Sequence, residues 1–471
     1  MTASQAAAAI LAWYRARSPA QLPADLADPQ VSASVLSAAD RIASAVLDPD
    51  PAQAQTGLRI LFADLIETLN DRLEPAGRSL SDRVMLRIIH RAAAADPALA
   101  QALADHDLAT EDALVARHAA LVSGQAWTPP VSPRRIAVLS RVTLGADILL
   151  TSVMLQHARQ RWPQAEILLV GAAKLAALFS GPGGYPVLPI DYPRRGGLPG
   201  RLQIWLATAQ ALREQAVDLV LNPDSRLDQL GLLPLAPLPA TALWRGLLPD
   251  QAPPSSLASL LDDWCRRYLN PQGPACLPRL WPDARTSHQA QVLAQRLGPG
   301  PWLACKFDHG GNPAKALPQA AEVAILHAAR QRGWRILLDR GFGPDEEAAS
   351  DALLAASGLT VWDLAEADLE RSAASPPVDS VVRLSGSIGL WAAALRCSHL
   401  ALSYDSVGHH LAAALGIPVI IAFTGHPHPA FAAAWQSCGP AAITQIVIPG
   451  QERDDPQQWG RVVGAVPSAS A

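Results

Sequence analysis

Apolar positions recur at three- and four-residue spacing through Ala7–Trp13, Val35–Val46, Leu58–Leu69 and Val84–Ala93. That is the period of one helix face. The pattern breaks at Ser18–Pro19, Asp48–Pro51, Pro75–Gly77 and Asp96–Pro97, where proline and short polar residues punctuate the chain. No convincing strand alternation occurs here. The spacing predicts five to seven helices packed as a small bundle over residues 1–125. Gly124–Pro133, with Pro129, Pro130 and Pro133, reads as a linker.

At Arg134 the pattern changes. Arg135–Ser140 (RIAVLS) is a short apolar run before a glycine-containing turn. Asp147–Trp162 is apolar at helical period, and Ala165–Val170 (AEILLV) is a second short run. This β–turn–α–β order is the unit of a parallel sheet covered by helices. Leu202–Gln215 reads as a helix and Val217–Asn222 as a strand. A second block begins with strand Pro301–Lys306, a glycine loop, helix Pro318–Arg332 and strand Trp334–Leu338. It continues with helix Gly389–Ala394, strand His399–Ser403, helix His409–Leu415 and strand Pro418–Phe423. The Pro-rich stretch Asn270–Pro282 joins the blocks, while Gly181–Pro199 and Leu232–Pro254 read as long irregular connections. Two such blocks predict two facing Rossmann-like domains. Ligands of open α/β sheets bind outside the carboxyl ends of the strands, here the interdomain cleft.

Composition narrows the classes. With 471 residues, 49% hydrophobic and 17% charged, the chain has material for large cores, which excludes a disordered chain. A net charge of −4 gives no basic excess for a nucleic-acid or anionic-lipid surface. Cys265, Cys276, Cys305, Cys397 and Cys438 are scattered without zinc spacing, so free thiols in a reducing cytoplasm and no metal site are expected. No signal-peptide pattern and no apolar run of membrane-spanning length is seen, so a soluble cytoplasmic protein is expected. Of 38 Lys plus Arg, only Lys174, Lys306 and Lys315 are lysine, and two of these fall in one loop.

Three strand-to-helix turns carry candidate chemistry. In Thr143-Leu144-Gly145-Ala146-Asp147, Asp147 falls at a helix start. A carboxylate there serves as a helix cap or, facing a cleft, as a general base. Lys306–Lys315 (KFDHGGNPAK) lets Gly310, Gly311 and Asn312 present backbone N–H groups to an anion with Lys315 as the charge; a plain βα loop is the alternative. It is neither a GxGxxG fingerprint nor a P-loop. In Ser403–Gly416, Asp405 and Ser406 stand where they cap a helix whose free N–H groups face a phosphate, with Gly408 and His410 in its first turn. His426 and His428 (GHPHP) lack a third ligand nearby in sequence and read as loop residues at the cleft edge.

In this order and spacing, TLGADILLTSVML, GGNPAKALP and YDSVGHHLAAALGIPVIIAFTG resemble the ADP-heptose:lipopolysaccharide heptosyltransferase family of GT-B glycosyltransferases. RQRWPQAEILLVG and LSGSIGLWAAAL add to the resemblance, which covers residues 134 to about 430. It implies an α/β GT-B fold: two facing Rossmann-like domains with parallel sheets, preceded by an all-α N-terminal domain. The expected division is 1–125 helical, 134–275 acceptor-side, 282–455 donor-side and 456–471 a C-terminal tail.

The implied reaction is inverting transfer of a sugar from a nucleoside-diphosphate donor, with ADP-heptose the candidate, to a glycan, lipid-linked or protein acceptor. No cofactor and no metal is implied. Asp147 would be the general base. Lys315 would bind the diphosphate, and Asp405, Ser406 and His410 would lie at the donor sugar and phosphates. Asp224 and Arg226, at a strand end pointing to the same cleft, and Thr143 are candidate acceptor contacts; Arg194 and Arg195 are candidates for an anionic acceptor group. The sequence departs from the family pattern where Gly145 stands one place early and Val407 replaces a glycine, with Gly408 displaced by one. The family has no counterpart of residues 1–125, which therefore suggest a partner or acceptor surface. A location in the cytoplasm, at most peripheral to the inner membrane, follows from the resemblance. A catalytically weak sugar-nucleotide-binding or scaffold protein of the same fold is the rival reading.

Overall fold

The computed structural model describes residues 1–18, 21, 29–122, 130–192, 197–223, 226–227, 241–244, 256–310, 312–371, 374–426 and 428–469. Near-continuous aliphatic runs such as IAVL and VIIAF become strands buried on both faces, as parallel sheets require. The first sheet holds β1 (Arg135–Leu139), β2 (Glu166–Gly171), β3 (Val187–Pro189), β4 (Leu219–Asn222) and β5 (Thr241–Leu243), in the order β3-β2-β1-β4-β5. The second holds β6 (Trp302–Lys306), β7 (Arg335–Asp339), β8 (Val361–Ala365), β9 (Val381–Ser385), β10 (Leu400–Tyr404), β11 (Val419–Phe423) and β12 (Ile443–Val447), in the order β12-β11-β10-β6-β7-β9-β8.

All pairings within both sheets are parallel. Ile136 of β1 lies opposite both Ile167 and Leu219, and Leu303 of β6 opposite both Leu400 and Ile336. The strand order therefore reverses between β1 and β4 and between β6 and β10. Those are the topological switch points where crevices open beyond the strand ends. The turns that follow β1, β6 and β10 start at these points. The short strands β3 and β5 lie in stretches expected to be irregular; three residues each give no legible alternation.

Six helices precede β1 among the described residues: Ala3–Arg15, Pro29–Val46, a continuous helix over 51–70, Pro75–Ala94, Pro97–Ala104 and Glu111–Val122. Three of the predicted breaks are helix starts. Pro51, Pro75 and Pro97 each occupy the first turn, and the Asp50 and Asp96 carboxylates accept from backbone N–H groups there. The 51–70 helix widens to π-type turns over Ile60–Glu67. Arg87 bridges Asp40 and Glu111, tying three of these helices together.

These helices are not closed on themselves. Their buried side chains, including Ile42, Leu61, Leu65, Leu80 and Ile89, belong to one apolar cluster with Leu198, Leu202, Trp205, Ala137, Leu139 and Val220. The alternate residues Ile136, Val138 and Leu219 face the opposite cluster, so β1 alternates between two cores. The helical segment is thus an outer layer on one face of the first sheet. Residues 456–471, expected as a tail, include the helix Pro456–Ala465, whose Val462 is buried against the second domain.

Candidate functional site

The turn after β1 is built around Asp147. Its carboxylate is buried and accepts from the Ser140 hydroxyl (2.7 Å), the Arg141 backbone N–H (2.7 Å) and the Thr151 hydroxyl (2.8 Å). Burial pushes its pKa up to about 6, against the lowering effect of those donors. The helix over 144–161 runs through π-type turns at Asp147–Thr151. Val142 stands at φ +66°, a costly conformation for a β-branched residue, and the Asp147 bonds to its neighbours hold the turn in that shape. Thr143 is exposed at the start of this helix without a side-chain cap bond.

Across the cleft, the helix Val407–Ala414 points its N-terminus at the same place. Ser406 caps it, accepting from Gly408 N–H, and donates to Asp308 (2.7 Å). The displaced glycines have a packing reason. A Cβ on Gly145 would sit 3.0 Å from the His410 ring, and one on Gly408 would sit 2.5 Å from Ser403 Oγ. The two helix starts therefore meet closely, with His410 between them.

Asp405 joins the second domain's groups. Lys315 Nζ lies 2.6 Å from one of its oxygens and donates to its backbone carbonyl, and His409 Nε2 is 3.5 Å from the other oxygen. Burial alone would raise the Asp405 carboxyl, but His409 and Lys315 hold it well below the usual carboxylate range. Burial, with His409 adjacent, depresses His410 well below an ordinary imidazole, so it is neutral. Asn312 caps the short turn Pro313–Lys315, accepting from Ala314 N–H, and Gly310 is exposed at the loop tip. Lys306 is buried between Asp308 and Asp339 beside the Trp391 ring, so of the two loop lysines Lys315 is the more exposed. Gly311, Asp224, Arg194 and Arg195 lie outside the described residues.

A cavity of about 490 Å³ opens beside these loops. Arg226, at the end of β4, lines it and donates to the Arg141 carbonyl (2.7 Å). The Arg141 guanidinium lies 5.6 Å from the Trp435 ring centroid, a cation–π contact joining the two α/β domains at its wall. The third wall is the 51–70 helix, with Glu67 and Asp71 at its end. Sequence reasoning missed Arg141, Trp435, Glu67 and Asp71. Arg141 directly follows a strand that was legible, but nothing in the spacing brings residues 67–71 to a strand end 70 residues later.

His426 packs between Phe423 and Phe431, and His428 caps the helix Pro429–Ala434. One His/Asp/Cys group that the spacing hid does form among the described residues. His157 Nε2 lies 2.7 Å from Asp262 Oδ1, which also accepts from the Cys276 backbone N–H. Arg266 pairs with the other Asp262 oxygen, so the group staples the Pro-rich connection to its helices.

No protein-family model matches this chain, and no curated protein sequence matches it. Solved structures do match. A glycosyl transferase family 9 structure from Veillonella parvula aligns with a TM-score of 0.50 at 15% identity, over 72% of this chain and 92% of that one. The E. coli ADP-heptose lps heptosyltransferase II aligns with a TM-score of 0.50 at 18% identity, over 70% of this chain and 98% of that one. The fold is that of the GT-B glycosyltransferases. The expected pair of parallel-sheet domains behind a helical segment is therefore met. Asp405, Ser406, His410 and Lys315 lie together at the start of the Val407–Ala414 helix, and the helix that carries Asp147 meets that start where Gly145 abuts His410. None of the described helices is long and apolar enough to cross a membrane.

Proposed function

We propose that this chain is an inverting glycosyltransferase that moves a sugar from a nucleoside-diphosphate donor, ADP-heptose as the first candidate, to an acceptor hydroxyl. The observation that carries this reading is the pairing of Lys315 with Asp405 at the N-terminus of the Val407–Ala414 helix, directly across the cleft from the Asp147 helix. A partly exposed ammonium beside a helix N-terminus suits a diphosphate leaving group. The acceptor oxygen attacks the anomeric carbon as the bond to the diphosphate breaks, and the acceptor proton leaves to a carboxylate. Asp147, raised to about 6, has the proton affinity a base needs near neutral pH. Lys315 and the helix N-terminus offset the charge that develops on the diphosphate. The names of the two matched structures support the same reaction class.

A second reading has its own observation. The Asp147 carboxylate is buried and already accepts three hydrogen bonds, which suits a binding protein whose turn it merely holds. The release of nucleoside diphosphate from a panel of sugar nucleotides separates the two. An enzyme turns one donor over, and Asp147→Asn slows it by about 10²–10⁴-fold, the size of a lost general base, while nucleotide binding persists. Nucleotide binding without turnover of any donor by the wild type favours the binding protein.

A further inference from the structure

The cavity beside the site has walls from three parts of the chain. Phe62, Glu67 and Asn70 come from the 51–70 helix and Asp71 from its C-cap, Arg226 and Trp244 from the first α/β domain, and Trp435 from the second. Its volume of about 490 Å³ falls in the range of sites for small organic ligands. Its walls are mixed in a particular way: flat aromatic faces alternate with carboxylates and guanidinium groups. Carboxylates and guanidinium groups beside aromatic rings are complementary to the hydroxyl groups and apolar faces of a sugar ring.

Glu67 and Asp71 lie one helical turn apart and face the donor loops. The Lys315 charge acts on both, and Arg226 acts on Glu67. Burial, with Glu67 nearby, pushes Asp71 up to about 7, so it can both donate to and accept from a hydroxyl near neutral pH. The helix widens to π-type turns over Ile60–Glu67, a distortion often found where a helix serves a site.

We propose that this cavity is the acceptor site, that it takes a saccharide, and that Glu67 and Asp71 of the helical layer are the carboxylates that grip its hydroxyls. The helical layer is then a specificity wall of the site. The inference rests on the transfer reading for the word acceptor, but binding of the saccharide can be read without any donor.

The test is saturation-transfer NMR on the full-length protein with methyl hexosides, a methyl heptoside and methyl hexuronides, each without nucleotide. The expected result is transfer to the ring protons of at least one glycoside. Asp71→Asn and Glu67→Gln should each weaken its binding about tenfold, the size of one hydrogen bond to a charged group. Both substitutions keep side-chain shape, and a melting curve superposing on the wild type excludes unfolding. A glycoside that binds equally well to both variants would overturn the site assignment. If nucleotides bind and are turned over while no glycoside in the panel binds, the saccharide class is overturned and the transfer reading stands. If a glycoside binds and no sugar nucleotide does, the cavity stands as a saccharide site and the transfer reading falls.

Discussion

Two influences on the Asp147 carboxyl pull in opposite directions. Three donors stabilise its charged form and burial disfavours it, and the balance leaves its pKa at about 6. If it takes the acceptor proton, kcat/KM should fall as pH drops through about 6, and the acid limb should vanish in Asp147→Asn. A rate independent of pH between 5 and 8 would remove Asp147 from the chemistry. Asp405 shows the opposite shift. Its carboxyl lies below the ordinary value in the folded protein, so its pairing contributes stability above the unfolded pKa that is lost as pH falls below it. Melting curves should therefore show acid destabilisation below about pH 4, smaller in Asp405→Asn than in the wild type. Of the candidate residues, Asp147, Ser406 and Lys315 could be singled out from sequence because each lies in the connection between a strand and the helix after it, or in that helix's first turn. Lys306 was misleading: burial between Asp308 and Asp339 turns a rare lysine into a structural group.

At the scale of elements, the helix starts after β1 and β10 approach so closely that a side chain on Gly145 meets His410. Gly145→Ala should force these helices apart by several tenths of an ångström. It should weaken donor binding with little change in the fold, as calorimetry and circular dichroism would show; unchanged donor binding would mean that the approach has no part in the site. Long aliphatic strands such as β1, β10 and β11 could be read from sequence because both faces are buried and the run is unbroken. The strands β3 and β5 could not, since three residues carry no period. The prolines read as breaks at 51, 75 and 97 are first-turn residues; proline stops a preceding helix and starts the next with equal ease.

At the scale of the whole molecule, periodicity found the helices of residues 1–122 but not their place. Amphipathic spacing states that a face is buried, not what buries it. Here that face continues through Leu198, Leu202 and Trp205 onto the first sheet. Removing residues 1–125 would expose a contiguous apolar surface, so the truncated chain should be insoluble or aggregate. A soluble, monomeric fragment starting at residue 134 would show that the layer is dispensable for folding. The departures from the family pattern at Gly145 and Gly408 likewise have reasons only the packing shows: Gly145 abuts His410 across the cleft, and Gly408 abuts Ser403 within its own domain.

A nucleoside diphosphate is expected to bind at the Lys315 loop and the start of the Val407–Ala414 helix. Thermal melting of the full-length protein against ADP, UDP, GDP and their sugar conjugates tests it most directly. A ligand at about 100 times its Kd adds about 2.7 kcal/mol of stability, a visible rise in Tm. One nucleotide should raise Tm, and Lys315→Ala should weaken that binding by about 1.5–3 kcal/mol, the range for a charge-assisted phosphate contact. No rise with any nucleotide, or an equal rise in Lys315→Ala, would contradict the claim.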